Sequence, residues 1–323
     1  MGTAIDQQTI IKDLAKSLFS SPRYIPAKYH YDTKGSLLFE KITELDEYYP
    51  TRCEREILKK YKKEIIDLTK HHPNLNLIEL GAGDGHKTTP LLEELMTSKQ
   101  NCAYIPIDVS ESAIAKLLAT LHSTYGSLLN VQGITADYLE GLSQINPIIR
   151  KMVLFLGSSI GNFDNHEAHK FLFSLRHFLE KDDILFVGFD LKKDIDILQK
   201  AYKDSKGVTA EFNLNVLDRL NHELNMNFNR DKFQFHSFYN NVEGRVESWL
   251  VSKETQTIEF PPLHKTFTLK AWEGIHMENS YKYNMRDIEN LAHGAGFRIE
   301  RIFKDPQNYF ACAALKLRGK HES

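Results

Sequence analysis

Asn76-Leu77-Ile78-Glu79-Leu80-Gly81-Ala82-Gly83-Asp84-Gly85-His86-Lys87-Thr88 decides the fold of this chain. Leu75, Leu77, Ile78 and Leu80 make a short apolar run that predicts a buried strand. The glycines that follow predict a sharp turn able to approach a ligand closely, because a Cβ at Gly81, Gly83 or Gly85 would push that ligand away. A helix is predicted to start near Thr88. A dinucleotide fingerprint would require a third glycine at position 86, and His86 stands there, which removes the main support for a nicotinamide cofactor.

Working outward, Tyr104-Ile105-Pro106-Ile107-Asp108-Val109 reads as a second strand with an acid at its carboxyl end, and Ser110 as the N-cap of a helix whose apolar periodicity runs from Ala113 to Leu121. Asp108 is placed to accept from ribose hydroxyls. Leu129-Asn130-Val131-Gln132-Gly133-Ile134 then leads to Ala136-Asp137-Tyr138, where the carboxylate could accept from an adenine amino group and the ring could cover the base. Acids at the ends of successive strands match the rule that open α/β sheets bind ligands outside the carboxyl ends of their strands. Further strands are predicted at Met152 to Leu156 and Ile184 to Phe189, with an amphipathic helix around Ala168 to Leu179. This alternation predicts a parallel, doubly wound α/β sheet.

Composition sets the bounds. The 323 residues, 41% of them hydrophobic, can bury a full core, and a formal net charge of -2 leaves no electrostatic footprint for nucleic acid. The lysines of Lys59-Lys60-Tyr61-Lys62-Lys63 alternate with nearby acids, as on a solvated helix face. Cys53, Cys102 and Cys312 are odd in number and scattered, which predicts no disulfide framework and a reducing, cytoplasmic setting. No apolar run approaches the roughly 18 residues of a spanning helix and no signal-peptide pattern is present, so no membrane partner is expected. No metal site is expected either: in His166-Glu167-Ala168-His169 the histidines are three apart where a zinc-protease helix needs four.

The segments divide unevenly. Residues 63-194 hold the alternating core, and 286-323 complete it with a helix from Arg286 to His293, then Ala295-Gly296-Phe297, and two strands, Arg298 to Phe303 and Tyr309 to Leu315, joined by a turn at Asp305-Pro306. Residues 195-285 break the pattern, with a helical stretch at Val216 to Asn225 followed by strands at Phe233 to Tyr239, Arg245 to Ser252 and Thr266 to Lys270. They read as an insertion that joins residues 1-62 in a second, smaller α+β domain for the substrate. At the end of the fourth strand Asn162 offers both an acceptor and donors, suited to an amine or a carboxylate; its alternative role is to cap the helix that follows. His276-Met277-Glu278-Asn279-Ser280-Tyr281-Lys282-Tyr283 alternates as a strand would, putting Glu278 and Ser280 on one face about 6 to 7 Å apart.

Glu79-x-Gly-x-Gly-x-Gly resembles the first motif of class I S-adenosylmethionine (AdoMet) methyltransferases, and the closing helix and hairpin resemble theirs. A narrower resemblance rests on Tyr31-Asp32-Thr33-Lys34-Gly35-Ser36 with Leu38-Phe39, on Glu47-Tyr48-Tyr49-Pro50-Thr51-Arg52, on Phe155-Leu156-Gly157-Ser158-Ser159-Ile160-Gly161-Asn162, and on Gly207 through Leu217. These stretches are similar to the histidine-specific Nα-methyltransferases of ergothioneine biosynthesis, from about residue 20 to residue 315. That family trimethylates the α-amine of L-histidine to hercynine with three AdoMet molecules, releasing S-adenosylhomocysteine.

The resemblance implies that Tyr48, Asn162 and Tyr202 hold the amine and carboxylate, with Asn162 and Tyr48 aiming the amine, that Glu278 and Ser280 read the imidazole, and that Tyr31 lines the same pocket. Gly81, Gly83, Lys87, Asp108, Asp137 and Tyr138 match its cofactor positions, and Tyr31, Tyr48 and Phe212 supply aromatic faces for the growing quaternary ammonium. Two departures stand out. The glycine loop differs from a Gly-Ser-Gly-Thr-Ser-Glu-Lys-Thr type, and in Glu247-Ser248-Trp249-Leu250 a serine replaces the usual methionine beside the ring pocket, where a smaller side chain could admit a larger ring. The rival readings are a same-family enzyme for another amino acid, a non-catalytic AdoMet-binding sensor or complex subunit, and, more distantly, an oxidoreductase. No oligomeric state is predicted.

Overall fold

The computed structural model describes residues 7–69, 74–98 and 101–319. The chain first forms α1 (Gln7–Ser17), a two-residue strand β1 (Arg23–Tyr24) and α2 (Thr33–Thr43). The helix α3 (Tyr49–Asp67) leads into β2 (Asn74–Leu80), α4 (Thr89–Thr97), β3 (Asn101–Asp108), α5 (Glu111–Tyr125), β4 (Asn130–Val131), β5 (Ile134–Thr135), α6 (Tyr138–Ser143), β6 (Arg150–Phe155), α7 (Asn165–Leu175) and β7 (Ile184–Asp190). There follow α8 (Ile195–Tyr202), α9 (Val208–Leu224), β8 (Phe233–Asn240), β9 (Arg245–Ser252), β10 (Gln256–Phe260), β11 (Lys265–Leu269) and β12 (Gly274–Tyr281). Last come α10 (Met285–Gly294), β13 (Phe297–Lys304) and β14 (Phe310–Leu317).

Contacts divide these elements into two compact units, one holding described residues 50–192 and 282–319, the other 7–49 and 193–281. The first break falls between Tyr49 and Pro50, not near residue 62 as the sequence pattern predicts. The reason is α3. Its Ile57, Leu58, Ile65 and Ile66 are buried, its Tyr61 ring lies 5.4 Å from that of Phe303, and Glu64 pairs with Arg301 on β13 at 2.8 Å, so all but its first residue belongs with the first unit.

The first unit is built on an eight-stranded mixed sheet in the order β13-β14-β7-β6-β2-β3-β4, with β5 also pairing β3. Strands β2 to β7 run parallel to one another, while β14 pairs antiparallel with β7 and β13 with β14. β2 is buried from Leu75 to Leu80 and β7 along its whole length, because helices cover both faces of a sheet wound in this way. The strand order turns at β2: β3 lies on one side and β6 on the other, which makes the end of β2 a topological switch point. Local signals start the helices. Ser110 accepts from Ala113 N at 3.2 Å to cap α5, whose Ile114, Leu117 and Leu121 are buried at helical spacing.

The second unit carries a four-stranded sheet, β1-β12-β9-β8, and the hairpin β10-β11. Val216, Leu217, Leu220 and Leu224 of α9 share one core with Leu250, Ile275 and Met277 of the sheet and with Ile10 and Leu14 of α1. The register shifts between His276 and Glu278, so the even alternation predicted from His276 onward is broken at Met277, which drops into this core. Beyond the bulge, Glu278 and Ser280 are in step, opposite Ser248 and Val246 of β9. Among the described residues no helix is long and apolar enough to cross a membrane.

Candidate active site

The residues singled out in the sequence gather into two groups, one in each unit. In the first unit, Gly81, Gly83 and Gly85 have φ of +71°, +55° and +68°, a left-handed region costly for other residues. A Cβ at Gly83 would meet nothing within 4 Å, so the outer face of the turn is open, while one at Gly85 would lie 2.4 Å from Leu117 Cδ1. Asp108, half-buried at the tip of β3, accepts from Ser110 N through Oδ1 at 2.9 Å and from Gly83 N through Oδ2 at 3.3 Å. Its carboxylate is thereby fixed beside the glycine turn.

Asp137 caps α6, its Oδ1 accepting from Leu139 N at 3.0 Å and Glu140 N at 2.9 Å. The next residue, Tyr138, packs edge-on against Phe155 at 5.6 Å, and a Cβ at Gly81 would come within 3.1 Å of its hydroxyl. Burial first, and the neighbouring Asp108 second, push the Tyr138 phenol up to about 12. The ring therefore braces the turn as well as standing where a base could lie.

Beneath the turn lies a charged cluster. Glu79 is buried, accepts the Tyr104 hydroxyl, and is pushed up to about 7 by its burial. Burial works against the charge on Lys87, yet Glu54, Glu79 and Asp84 hold its pKa above the ordinary lysine value. Glu54, 0% exposed, lies 3.3 Å from Lys87 Nζ and accepts from Gly157 N at 2.8 to 2.9 Å through both oxygens. The sequence reading missed Glu54, and nothing local marks it: it is one acid among the charges of α3.

After β6 the chain turns at Gly157 (φ +76°) and Ser158 (φ +55°) into a single 3-10 turn, Ser159–Asn162. Ser158 Oγ accepts from Asp190 N at 3.0 Å, tying this turn to the end of β7. The cap of α7 is Asp164, in a reciprocal box with Glu167. Asn162 is exposed and outside the helix, so the alternative role of helix cap is excluded.

In the second unit an unbroken series of rings connects most of the expected substrate residues. Tyr31 lies 5.7 Å from Phe212 and 5.6 Å from Phe39, Phe39 6.4 Å from Tyr48, and Tyr48 6.1 Å from Tyr202. The Tyr202 hydroxyl and Ser280 Oγ are 2.7 Å apart. Glu278 stands opposite Ser248, which in turn stands opposite Ser237 of β8, so three polar side chains form one row across the sheet. Ser237 Oγ is buried with no hydrogen-bond partner among the described residues. Phe39 and Ser237 are the additions here. Phe39 lies beside the Tyr31 to Ser36 motif with no local mark of a role, and Ser237 becomes visible only through strand register.

A glycine turn at the switch point, an acid closing the neighbouring strand and an antiparallel hairpin beyond β7 define the α/β class I methyltransferase fold. The open Gly83 face, the fixed Asp108 and Lys87, whose side chain is a quarter exposed, suit a zwitterionic nucleoside such as AdoMet. The profile described as "Histidine-specific methyltransferase, SAM-dependent" matches residues 10–317. The histidine N-alpha-methyltransferase of Mycolicibacterium smegmatis is 34% identical over 303 residues, 94% of this chain and 93% of its own, and that of Mycobacterium tuberculosis is 34% identical over 299 residues, 93% and 92%. The L-tryptophan methyltransferase of Psilocybe serbica is 25% identical over 91% of this chain and 88% of its own. The chain belongs to the histidine-specific, SAM-dependent methyltransferase family.

Proposed function

We propose that this protein trimethylates the α-amine of L-histidine, giving hercynine and S-adenosylhomocysteine, as in ergothioneine biosynthesis. The observation that carries the substrate is the in-step placement of Glu278 and Ser280 on β12, with Ser280 hydrogen-bonded to Tyr202. A carboxylate and a hydroxyl at that spacing suit the two nitrogens of an imidazole, and a half-buried carboxylate favours a ring that donates to it. The second unit is then the substrate-binding domain, and its ring series, Tyr31, Phe39, Phe212, Tyr48 and Tyr202, accommodates a quaternary ammonium through cation–π attraction.

AdoMet, when bound, supplies the electrophilic methyl group. Gly81, Gly83, Lys87, Asp108, Asp137 and Tyr138 would hold it. Displacement at that carbon needs a neutral amine about 3 Å away and in line, so the protein contributes position and desolvation rather than a nucleophile. Asn162 and Tyr48 orient the amine by accepting its N–H, and solvent takes the proton. The second reading is a same-family enzyme for a larger aromatic amino acid, which Ser248 and the relative named as an L-tryptophan methyltransferase favour.

A mass-spectrometric screen of the protein with AdoMet against the twenty amino acids decides between them. L-Histidine should gain three methyl groups while L-phenylalanine and L-tryptophan stay unmodified. Glu278→Ala should erode that preference mainly through histidine affinity, by about 1 to 3 kcal/mol, and Ser280→Ala more weakly. Untouched histidine beside a trimethylated tryptophan would overturn the histidine reading and leave the family intact.

A further inference from the structure

We propose that Glu54 is a positioning residue for methyl transfer: its carboxylate locks the cofactor-loop lysine, Lys87, to the Gly157 turn that carries Asn162. The inference rests on the reading of Lys87 as a cofactor residue and Asn162 as an amine-orienting one. Glu54 lies on α3, and its side chain is fully buried. Its two oxygens serve both loops, accepting from Gly157 N at 2.8 and 2.9 Å and lying 3.3 Å from Lys87 Nζ at the nearer approach. The fit is close on every side. A Cβ at Gly188 of β7 would fall 2.2 Å from Glu54 Oε1, and one at Gly157 would fall 2.9 Å from Lys87 Nζ.

A lysine stem has four rotatable bonds, and the Lys87 side chain is a quarter exposed, so without Glu54 its ammonium would sample many positions. With Glu54 it is held, leaving its remaining donors for a ligand carboxylate. Through the second contact the same carboxylate fixes the start of the turn: Gly157 N is tied to it, Gly161 N donates to Ser158 O at 2.8 Å, and Asn162 ends the turn. Charge pairing and turn geometry are therefore separable. Glu54→Gln retains an acceptor for Gly157 N and loses the charge facing Lys87. Glu54→Ala loses both.

The test measures AdoMet affinity by calorimetry and turnover at saturating AdoMet and L-histidine. Glu54→Gln should weaken AdoMet binding by about three- to tenfold, the cost of re-immobilising one long side chain, with kcat within about threefold of wild type. Glu54→Ala should weaken binding similarly and lower kcat by about a hundredfold, the scale of misplacing a reacting group. In an Asn162→Ala background, Glu54→Ala should cost no further kcat, because both changes remove the same placement. Wild-type AdoMet affinity in both Glu54 variants, with only a lower melting temperature, would assign Glu54 to the scaffold and overturn the proposal. So would full additivity with Asn162→Ala. If Glu54→Ala does not fold, the affinity of Glu54→Gln decides by itself. That affinity needs no amino acid, so a wild-type protein that ignores histidine refutes the substrate reading separately.

Discussion

Asn162 and Asp164 stand two positions apart, and their side chains do different work. Asp164 Oδ1 accepts from Glu167 N at 2.7 Å while Glu167 Oε2 accepts from Asp164 N at 3.0 Å, which satisfies the start of α7 without help from Asn162. Asn162→Ala should therefore cut turnover on the order of a hundredfold and leave AdoMet affinity and melting temperature unchanged. Asp164→Ala should do the reverse, costing about 1 kcal/mol in urea denaturation with near-normal turnover. Equal stability losses in the two variants would return Asn162 to a structural role. Glu79 makes a separate prediction. Its carboxyl is raised from 4.5 to about 7 by burial, so the folded state holds the proton more tightly than the unfolded one. The stabilisation is complete below the unfolded value of 4.5 and is lost as pH rises through about 7. Glu79→Gln should flatten that loss, making the variant more stable than wild type at pH 8 by up to about 3 kcal/mol while matching it near pH 5, as urea titrations at the two pH values would record.

The elements place these groups by devices of different reach. β2 and the glycine turn act within one short stretch: the strand is buried, the turn takes up positive φ, and Gly85 leaves space for Leu117 of α5. Gly85→Ala should disturb this on two counts, a left-handed backbone and a Cβ 2.4 Å from Leu117 Cδ1. The expected cost is about 1 to 3 kcal/mol in thermal unfolding together with weakened AdoMet binding, and unchanged values for both would show that the loop tolerates a Cβ. β12 works at longer range. Its bulge at Met277 resets the register, so that Glu278 faces Ser248 and Ser237 while Met277 fills the core.

Across the whole molecule, the chain leaves the first unit after β7 and returns to it after β12, and the two crossings lie side by side. Lys192 N donates to Tyr283 O at 2.8 Å, Tyr283 N donates to Asp190 O at 2.9 Å, and Lys282 Nζ pairs with Asp190 Oδ2 at 2.8 Å with both side chains 0% exposed. Lys282→Met removes a buried ammonium opposite a buried carboxylate, so it should lower global stability by about 3 to 5 kcal/mol, and adding Asp190→Asn should recover part of that loss. A melting temperature unaffected by Lys282→Met would mean that the pair contributes nothing to holding the two crossings together.

What the amino-acid order determined by itself is what short-range chemistry can express. Positive-φ glycines after an apolar run, a serine before a periodic helix, and acids at strand ends are local requirements of turns, caps and pleats, so the glycine turn, the place of Asp108 at the tip of β3 and the terminal hairpin were legible in the sequence. Motif resemblance added Tyr48, Tyr202 and Asn162 as candidates. Only the tertiary structure decided the rest. An acid on an amphipathic helix carries no local mark of burial, and Glu54 meets a glycine 103 residues away because α3 packs with the first unit and not, as its position before β2 implied, with the N-terminal segment. Likewise the row Ser237, Ser248 and Glu278 exists through register between three strands, and one bulged residue, Met277, sets which side chains share that face. Register and burial are properties of pairs of distant segments, and so they lie beyond what any single stretch of sequence encodes.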